Sequence, residues 1–190
     1  MPLEHAILAF IDFQPTSGYD LKKLFDVSVT HFWSATQSHI YKSLDGLEKK
    51  GWVEARVIQQ EGRPNRKEYS ITDDGRTELR RWLITPLPFE QTRQPWLIQI
   101  FFSHFSSNEE IVALFEARMD HIRARLQSLR GEVQSGLNQN AEQIGVERAH
   151  QLWQTTLDYG IDYYEFELAW HEKTLATMRA LPPLMPPNPP

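Results

Sequence analysis

Hydrophobic residues recur every three or four positions between Gln37 and Lys50, a spacing that predicts an amphipathic helix. Ile40, Leu44 and Leu47 lie on its apolar face, and Gly51 follows as a left-handed cap residue. The other faces carry the polar residues Ser38, His39, Lys42, Lys49 and Lys50. The pattern therefore predicts a helix with one side in a core and the other turned toward solvent or a partner.

The next segment predicts two strands joined by a turn. Strand-forming β-branched and aromatic residues run from Trp52 to Ile58 and return from Tyr69 to Ile71. Between them, Pro64 and Asn65 favour a reversal of the chain. The turn also carries the cations Arg63, Arg66 and Lys67. We predict that these cations stand at the hairpin tip, where no core can use them and where they suit contacts with phosphate.

Helices flank this segment on both sides. Apolar residues predict helices over Leu3 to Phe13 and Tyr19 to Val29, with a break at Pro15 to Gly18. Thr72 is suited to cap a further helix after the hairpin. Three helices followed by a ribbon form the layout of a winged helix-turn-helix, in which the third helix enters the major groove of DNA.

The residues of this layout resemble the PadR-like family of winged-helix transcriptional regulators. The matching residues are Ser17 to Leu21, Ile40, Tyr41, Leu44 to Gly51, Gly62 to Thr72, Gly75 and Arg76, within a resemblance that covers residues 3 to 85. The resemblance implies a repressor that binds promoter DNA, and a helical C-terminal dimerisation domain. It also implies DNA contacts from Ser38, His39, Tyr41, Lys42, Arg63, Asn65, Arg66 and Lys67, for which the alternative is ordinary surface filling.

The second half of the chain is predicted to be helical. Pro86, Pro88 and Pro95 mark residues 86–95 as a linker, and the tail 181–190 is too rich in proline for a helix. Between them, Ser107 or Asn108 can cap a helix that reaches about Leu137, and a last helix is predicted from Gly145 to Ala180. Helices of this length need more apolar partner surface than one pair supplies, so we expect a homodimer.

The predicted fold class is therefore mainly α with a small β-wing, in two domains. Residues 1–85 form the winged-helix DNA-binding domain, and residues 96–180 form the helical dimerisation and effector domain. Aromatic side chains in the second domain are candidates for a pocket that binds a small aromatic effector. They are Trp96, Trp153, Tyr159, Tyr163 and Trp170. The family resemblance supports this role, since some members respond to phenolic acids or hydrophobic drugs, but large side chains at helical spacing also serve as core or interface.

Composition narrows the function further. The net charge of −5 argues against DNA binding, but residues 1–85 hold 12 Lys and Arg against 12 Asp and Glu, so the excess of acid lies in the second half. The chain has no cysteine, no secretion signal and no apolar run of about 18 residues, so cytoplasmic localisation without a membrane is expected.

Patterns typical of enzymes are missing from the sequence. His104, His121, His150 and His171 lack the spacing of a zinc site, and neither a serine elbow nor a glycine-rich phosphate loop occurs. We expect no metal, no cofactor and no enzymatic activity. The sequence leaves two functions open: a repressor bound to double-stranded promoter DNA, and a winged-helix module that binds a protein instead.

Overall fold

Helices dominate the computed structural model, which describes residues 2–29, 32–59, 65–89 and 92–184. The predicted fold class, mainly α with a small β-wing, is confirmed. The chain divides into two compact units, Met1–Pro88 and Phe89–Pro190. We call the first the winged-helix unit and the second the helical unit.

The described residues of the winged-helix unit form four helices and a three-stranded sheet. Its elements are α1 (Pro2–Phe13), β1 (Thr16–Ser17), α2 (Gly18–Val27), α3 (Gln37–Lys49), β2 (Val53–Ile58), β3 (Arg66–Ile71) and α4 (Asp73–Leu83). The strands are antiparallel in the order β1-β3-β2. The predicted two-stranded ribbon is thus incomplete, because Thr16 pairs with Tyr69 and Ser17 with Glu68.

Helix α3 occupies the centre of this unit, as its apolar face predicts. Ile40, Leu44 and Leu47 are fully buried and belong to one core with residues of α1, α2, α4 and the sheet. Gly51 follows with φ of +72°, which confirms the predicted left-handed residue after the helix. This turn directs the chain into β2.

Helix α4 begins where the chain leaves β3, and a close backbone contact fixes its position. The Thr72 hydroxyl caps α4 by accepting from the Gly75 amide at 3.1 Å, while the Thr72 amide donates to the Trp52 carbonyl. A Cβ added at Gly75 would lie 2.1 Å from that carbonyl oxygen. Only glycine allows the helix to approach Trp52 this closely.

Four α-helices make up most of the helical unit over residues 92–184. They are α5 (Pro95–Phe101), α6 (Asn108–Ser128), α7 (Gln134–Ile144) and α8 (Glu147–Arg179). A short 3₁₀ turn (Ser103–Phe105) precedes α6, and a π-helical turn (Leu129–Val133) joins α6 to α7. Ser107 caps α6 in a capping box with Glu110.

Two boundaries in this unit differ from the sequence prediction. Pro95 is the first residue of α5 rather than the end of the linker, because a proline without an amide hydrogen is tolerated in the first helical turn. The helix predicted to end near Leu137 continues to Ile144, where Gly145 adopts a left-handed conformation. Apolar residues thin out before the helix ends, so periodicity alone placed its end too early.

The core of the helical unit is small relative to its helices. One face of α6 is buried, and Leu129, Val133 and Leu137 pack with Leu157 of α8. Many other large apolar side chains are exposed. They include Leu97, Ile98, Phe101, Phe102, Phe105, Leu152, Tyr159 and Phe166.

After α8, residues 181–184 are not helical, and the rest of the predicted proline-rich tail lies outside the described residues. None of the described helices combines the length and apolar character needed to cross a membrane.

Candidate nucleic-acid interface

The N-terminal half of α3 presents polar side chains to solvent. The Thr36 side chain caps the helix by accepting from the His39 amide at 3.3 Å. Burial of Ile40 and Leu44 orients the helix, so that Ser38, His39 and Lys42 are exposed. All three residues were predicted to contact DNA.

Lys42 is a cation on this surface that has no partner among the described residues. Within the described part of the chain it makes no hydrogen bond or ion pair, and the same is true of Lys49, the last residue of α3. Lys50, in contrast, binds the Glu4 carboxylate at 2.9 Å and lies over the Trp52 ring. Lys42 and Lys49 are therefore free to contact an anion without breaking an internal bond.

Tyr41 has a packing role besides any contact with DNA. A Cβ added at Gly18 would lie 2.7 Å from the Tyr41 ring and 3.2 Å from the Leu44 side chain. The ring thus covers Gly18 at the contact between α2 and α3, while 40% of the residue remains exposed. This contact explains why a glycine follows the Ser17 cap of α2.

Arg66 has structural partners, contrary to the prediction for the hairpin cations. It lies in β3 opposite Ile58, and its guanidinium contacts Asp20 at 3.0 Å and Glu68 at 3.6 Å. Asp20 also accepts a hydrogen bond of 2.7 Å from Ser17. The prediction that hairpin cations have no structural partner is wrong for Arg66, because folding brings α2 alongside β3.

Lys67 is tied to α3 in the same way. Its ammonium group lies 2.8 Å from the Glu48 carboxylate and 5.2 Å from the centre of the Tyr69 ring. The hydrogen bond to Glu48 raises the pKa of Lys67 above its ordinary value. Asn65 is exposed immediately before β3, and Arg63 lies outside the described residues.

The helical unit contains a cavity of about 380 Å³ beside α5, α6 and α8. Its wall includes Trp96, Phe115, Arg118 and His171. Arg118 lies over the Trp96 ring at 4.1 Å and donates to the Glu167 carboxylate at 2.8 Å. An aromatic and a cationic wall meet at this point, which is a suitable environment for a ring-shaped ligand.

The five aromatic residues predicted to line an effector pocket do not converge on this cavity. Trp96 lines it, and Trp170 contacts Trp96 with 5.7 Å between ring centres. Trp153 instead packs against the Leu129 cluster, Tyr159 is 71% exposed, and the Tyr163 hydroxyl lies 3.2 Å from the Gln94 side chain. The residues that complete the cavity, Arg118 and His171, were not predicted as effector contacts.

Two family models match the chain, one in each unit. Residues 7–81 match the transcriptional regulator PadR-like family, and residues 92–179 match the C-terminal domain of virulence activator alpha proteins. Together the two matches span most of the described residues.

Two named relatives agree with the first match. The negative transcriptional regulator PadR of Bacillus subtilis is 32% identical over 130 residues, which are 68% of this chain and 71% of that protein. A probable transcriptional regulator of Mycobacterium tuberculosis is 47% identical over 87 residues. That second alignment covers 46% of this chain and 46% of the relative.

Solved structures resemble most of the chain. Bacillus subtilis PadR in complex with operator DNA has a TM-score of 0.77 at 27% identity, covering 94% of this chain and 99% of that one. The same regulator in complex with p-coumaric acid has a TM-score of 0.73 at 26% identity, with the same coverage.

Proposed function

Since the chain belongs to the PadR-like family of transcriptional regulators, we propose that it binds promoter DNA as a homodimer and represses transcription until a small aromatic effector releases it. The observation that carries this proposal is the exposed N-terminal half of α3, where Lys42 has no internal partner among the described residues. The resemblance to a regulator solved with operator DNA supports the same reading.

In this proposal, α3 enters the major groove with Ser38, His39, Tyr41 and Lys42 toward the bases and phosphates. A groove about 12 Å wide admits one helix, and polar side chains near the helix start reach the base edges. Lys42 is suited to a guanine edge or a phosphate, because a lysine provides only donors.

The hairpin contacts the neighbouring phosphates through Arg63, Asn65, Arg66 and Lys67. Arg66 and Lys67 are already paired with Asp20 and Glu48, so a phosphate must compete with these carboxylates. The net gain from each of these two cations is therefore smaller than that from Lys42.

Dimer formation through the helical unit would place two copies of α3 on one face of DNA. Half-sites in such complexes lie about 34 Å apart, one helical turn of DNA. The exposed apolar side chains of α5 and α8 supply the kind of surface that a permanent interface buries. The aromatic cavity beside Trp96 is the proposed place for the effector.

The test is binding of the purified protein to the DNA upstream of its own gene, measured by gel shift and footprinting. If each protomer neutralises about four phosphates, affinity should fall by roughly 10³ to 10⁵ between 50 and 200 mM salt. Lys42→Ala should weaken binding, whereas Lys173→Ala, which removes an exposed cation from α8, should not. Absence of any protected site would favour a protein-binding role and defeat this proposal.

A further inference from the structure

His171 is a fully buried histidine whose two ring nitrogens differ. Nδ1 lies 2.6 Å from the backbone carbonyl of Glu167, one helical turn earlier. A carbonyl oxygen can only accept a hydrogen bond, so Nδ1 carries the proton. In the neutral ring, Nε2 is then an acceptor, and among the described residues it has no hydrogen-bond partner.

The surroundings of His171 explain why this acceptor stays unpaired within the chain. The ring contacts Trp96, Phe115 and Trp170, with centre-to-centre distances of 4.9, 5.4 and 5.0 Å. Nε2 needs a donor, and the indole N–H of Trp96 already donates to the Gln94 side chain. A buried polar atom without a partner disfavours the folded state unless something else satisfies it, and such atoms are rare in native proteins.

Arg118 adds a donor to the same cavity wall. Its terminal nitrogen binds Glu167, but its Nε is buried without a partner among the described residues. Glu167 is itself 9% exposed and the Arg118 side chain 29%, so one positive and one negative charge lie side by side, partly shielded from water. The charge of Arg118 is therefore already balanced before any ligand arrives.

We propose that the cavity between Trp96, Arg118 and His171 binds a neutral aromatic molecule that carries a hydroxyl group, such as a simple phenol. The hydroxyl hydrogen is donated to Nε2 of His171, and an oxygen of the ligand accepts from Nε of Arg118. The ring lies in the apolar part of the cavity beside Phe115. This proposal rests on the proposed function, because it names the chemical class of the effector.

A carboxylate is the wrong group for this place. Glu167 already neutralises Arg118, so a second carboxylate would be buried beside the first without a charge to balance it. In the neutral ring, Nε2 of His171 would also face an anion that has no hydrogen to donate. The cavity thus selects for the hydroxyl end of an aromatic molecule and not for an acid group.

Trp96 is a tryptophan in the cavity wall and can report binding there. Its indole nitrogen donates to Gln94 at 3.0 Å, and its ring contacts both His171 and Arg118. Trp96 lies in the first turn of the short helix α5 and lines the cavity. Binding should therefore change the fluorescence of Trp96, which a Trp96→Phe variant identifies among the six tryptophans.

The experiment compares three ligands of similar size on the full chain by calorimetry and tryptophan fluorescence. They are 4-ethylphenol, 4-ethylanisole and 3-(4-hydroxyphenyl)propionate. We expect 4-ethylphenol to bind about tenfold more tightly than 4-ethylanisole, because methylation removes the hydrogen that His171 accepts. The propionate, which keeps the hydroxyl but adds a carboxylate, should bind more weakly than 4-ethylphenol.

A variant then assigns the preference to His171. His171→Leu should bind 4-ethylphenol and 4-ethylanisole equally, whereas His150→Leu on the same helix should keep the wild-type preference. The comparison of ligands on the unaltered protein stands even if His171→Leu does not fold. Equal binding of the phenol and the anisole by the wild type, tighter binding of the acid, or no binding of 4-ethylphenol would each overturn the proposal.

The same preparation is tested for DNA binding without ligand, which separates the two proposals. If the protein binds DNA but shows no preference for the phenol, the proposed effector class is wrong and the proposed repressor function stands. If the protein prefers the phenol but binds no DNA, the proposed ligand site stands and the proposed repressor function is wrong.

Discussion

Three helices of the winged-helix unit each contribute fully buried side chains, such as Ile7, Leu21 and Leu44, whereas the 33-residue helix α8 buries only one aliphatic side chain, Leu157. The other two buried residues of α8 are Glu167 and His171. The first unit thus encloses a core by itself. The second leaves much of its apolar surface for something else to cover.

Ion pairs between helices supply part of the contact that the small apolar core of the helical unit lacks. Helices α6 and α8 are linked by Arg118–Glu167, Arg123–Glu172 and Arg179–Glu116 ion pairs along their length. The Arg123–Glu172 and Arg179–Glu116 pairs are exposed and contribute about 0–1 kcal/mol each, so they fix the register of the two helices more than they stabilise them. The winged-helix unit is therefore stabilised by its own packing, whereas the helical unit depends on association with another surface.

A substitution at Leu157 is the strongest test of the difference between the cores of the two units. Leu157→Ala removes the only fully buried aliphatic side chain of α8 and should lower the free energy of unfolding of the helical unit by about 2–5 kcal/mol. Chemical unfolding followed by circular dichroism measures the loss. Leu152→Ala on the same helix, where the side chain is 57% exposed in the single chain, provides the matched control. Equal effects of the two changes on unfolding at low protein concentration would contradict the small core described here.

A glycine substitution distinguishes the two units. Gly75→Ala places a Cβ 2.1 Å from the Trp52 carbonyl and should destabilise the winged-helix unit by about 3 kcal/mol. In the helical unit, an added Cβ at Gly131 meets no atom within 4 Å. Gly131→Ala should therefore leave stability unchanged or raise it by up to about 1 kcal/mol. Thermal unfolding of both variants is the measurement, and tolerance of alanine at 75 would argue against a tightly fixed α4.

Association predicts a dependence on protein concentration. If the exposed face of the helical unit is buried in a homodimer, a hundredfold rise in concentration stabilises the dimer by about 2.7 kcal/mol. The thermal midpoint of the helical unit should rise accordingly, as measured by calorimetry over this range. A thermal midpoint that stays constant down to nanomolar protein, together with a monomer in analytical ultracentrifugation, would show that the helical unit is stable without association.

A smaller effect is expected from acid in the winged-helix unit. The Arg81 guanidinium, and then His5, hold the pKa of Glu78 at about 2, below its ordinary value of 4.5. Because the folded form has the lower pKa, this stabilisation is present above pH 4.5 and is lost as the pH falls toward 2. Glu78→Gln should flatten the pH dependence of the urea midpoint over that window. An unchanged slope between wild type and variant would remove Glu78 from the acid response.

Local signals in the sequence predict much of the winged-helix unit. The apolar spacing of Ile40, Leu44 and Leu47, the left-handed Gly51 and the cap at Thr72 all depend on residues a few positions apart, and all three are confirmed. Strand β1 was missed because it is only two residues long and depends on Tyr69 and Glu68, some fifty positions later.

The candidate site was less predictable for the same reason. Exposure of Ser38, His39 and Lys42 follows from the helical period, whereas the partners of Arg66 and Lys67 come from α2 and α3. The role of His171 is even more difficult to predict from the sequence. Its buried acceptor results from the position of one backbone carbonyl and three aromatic rings, which no spacing in the sequence specifies.

The π-helical turn Leu129–Val133 bears on how this chain can vary in length. A π turn holds about one residue more than an α turn, so it absorbs an insertion without rotating the segments on either side. A chain that lacked Gly131 could close the turn into ordinary α-helix and still keep Leu137 against Leu157. Orthologues with one residue fewer at this point are thus compatible with the same pairing of helices, and sequence alignments should tolerate a single gap there.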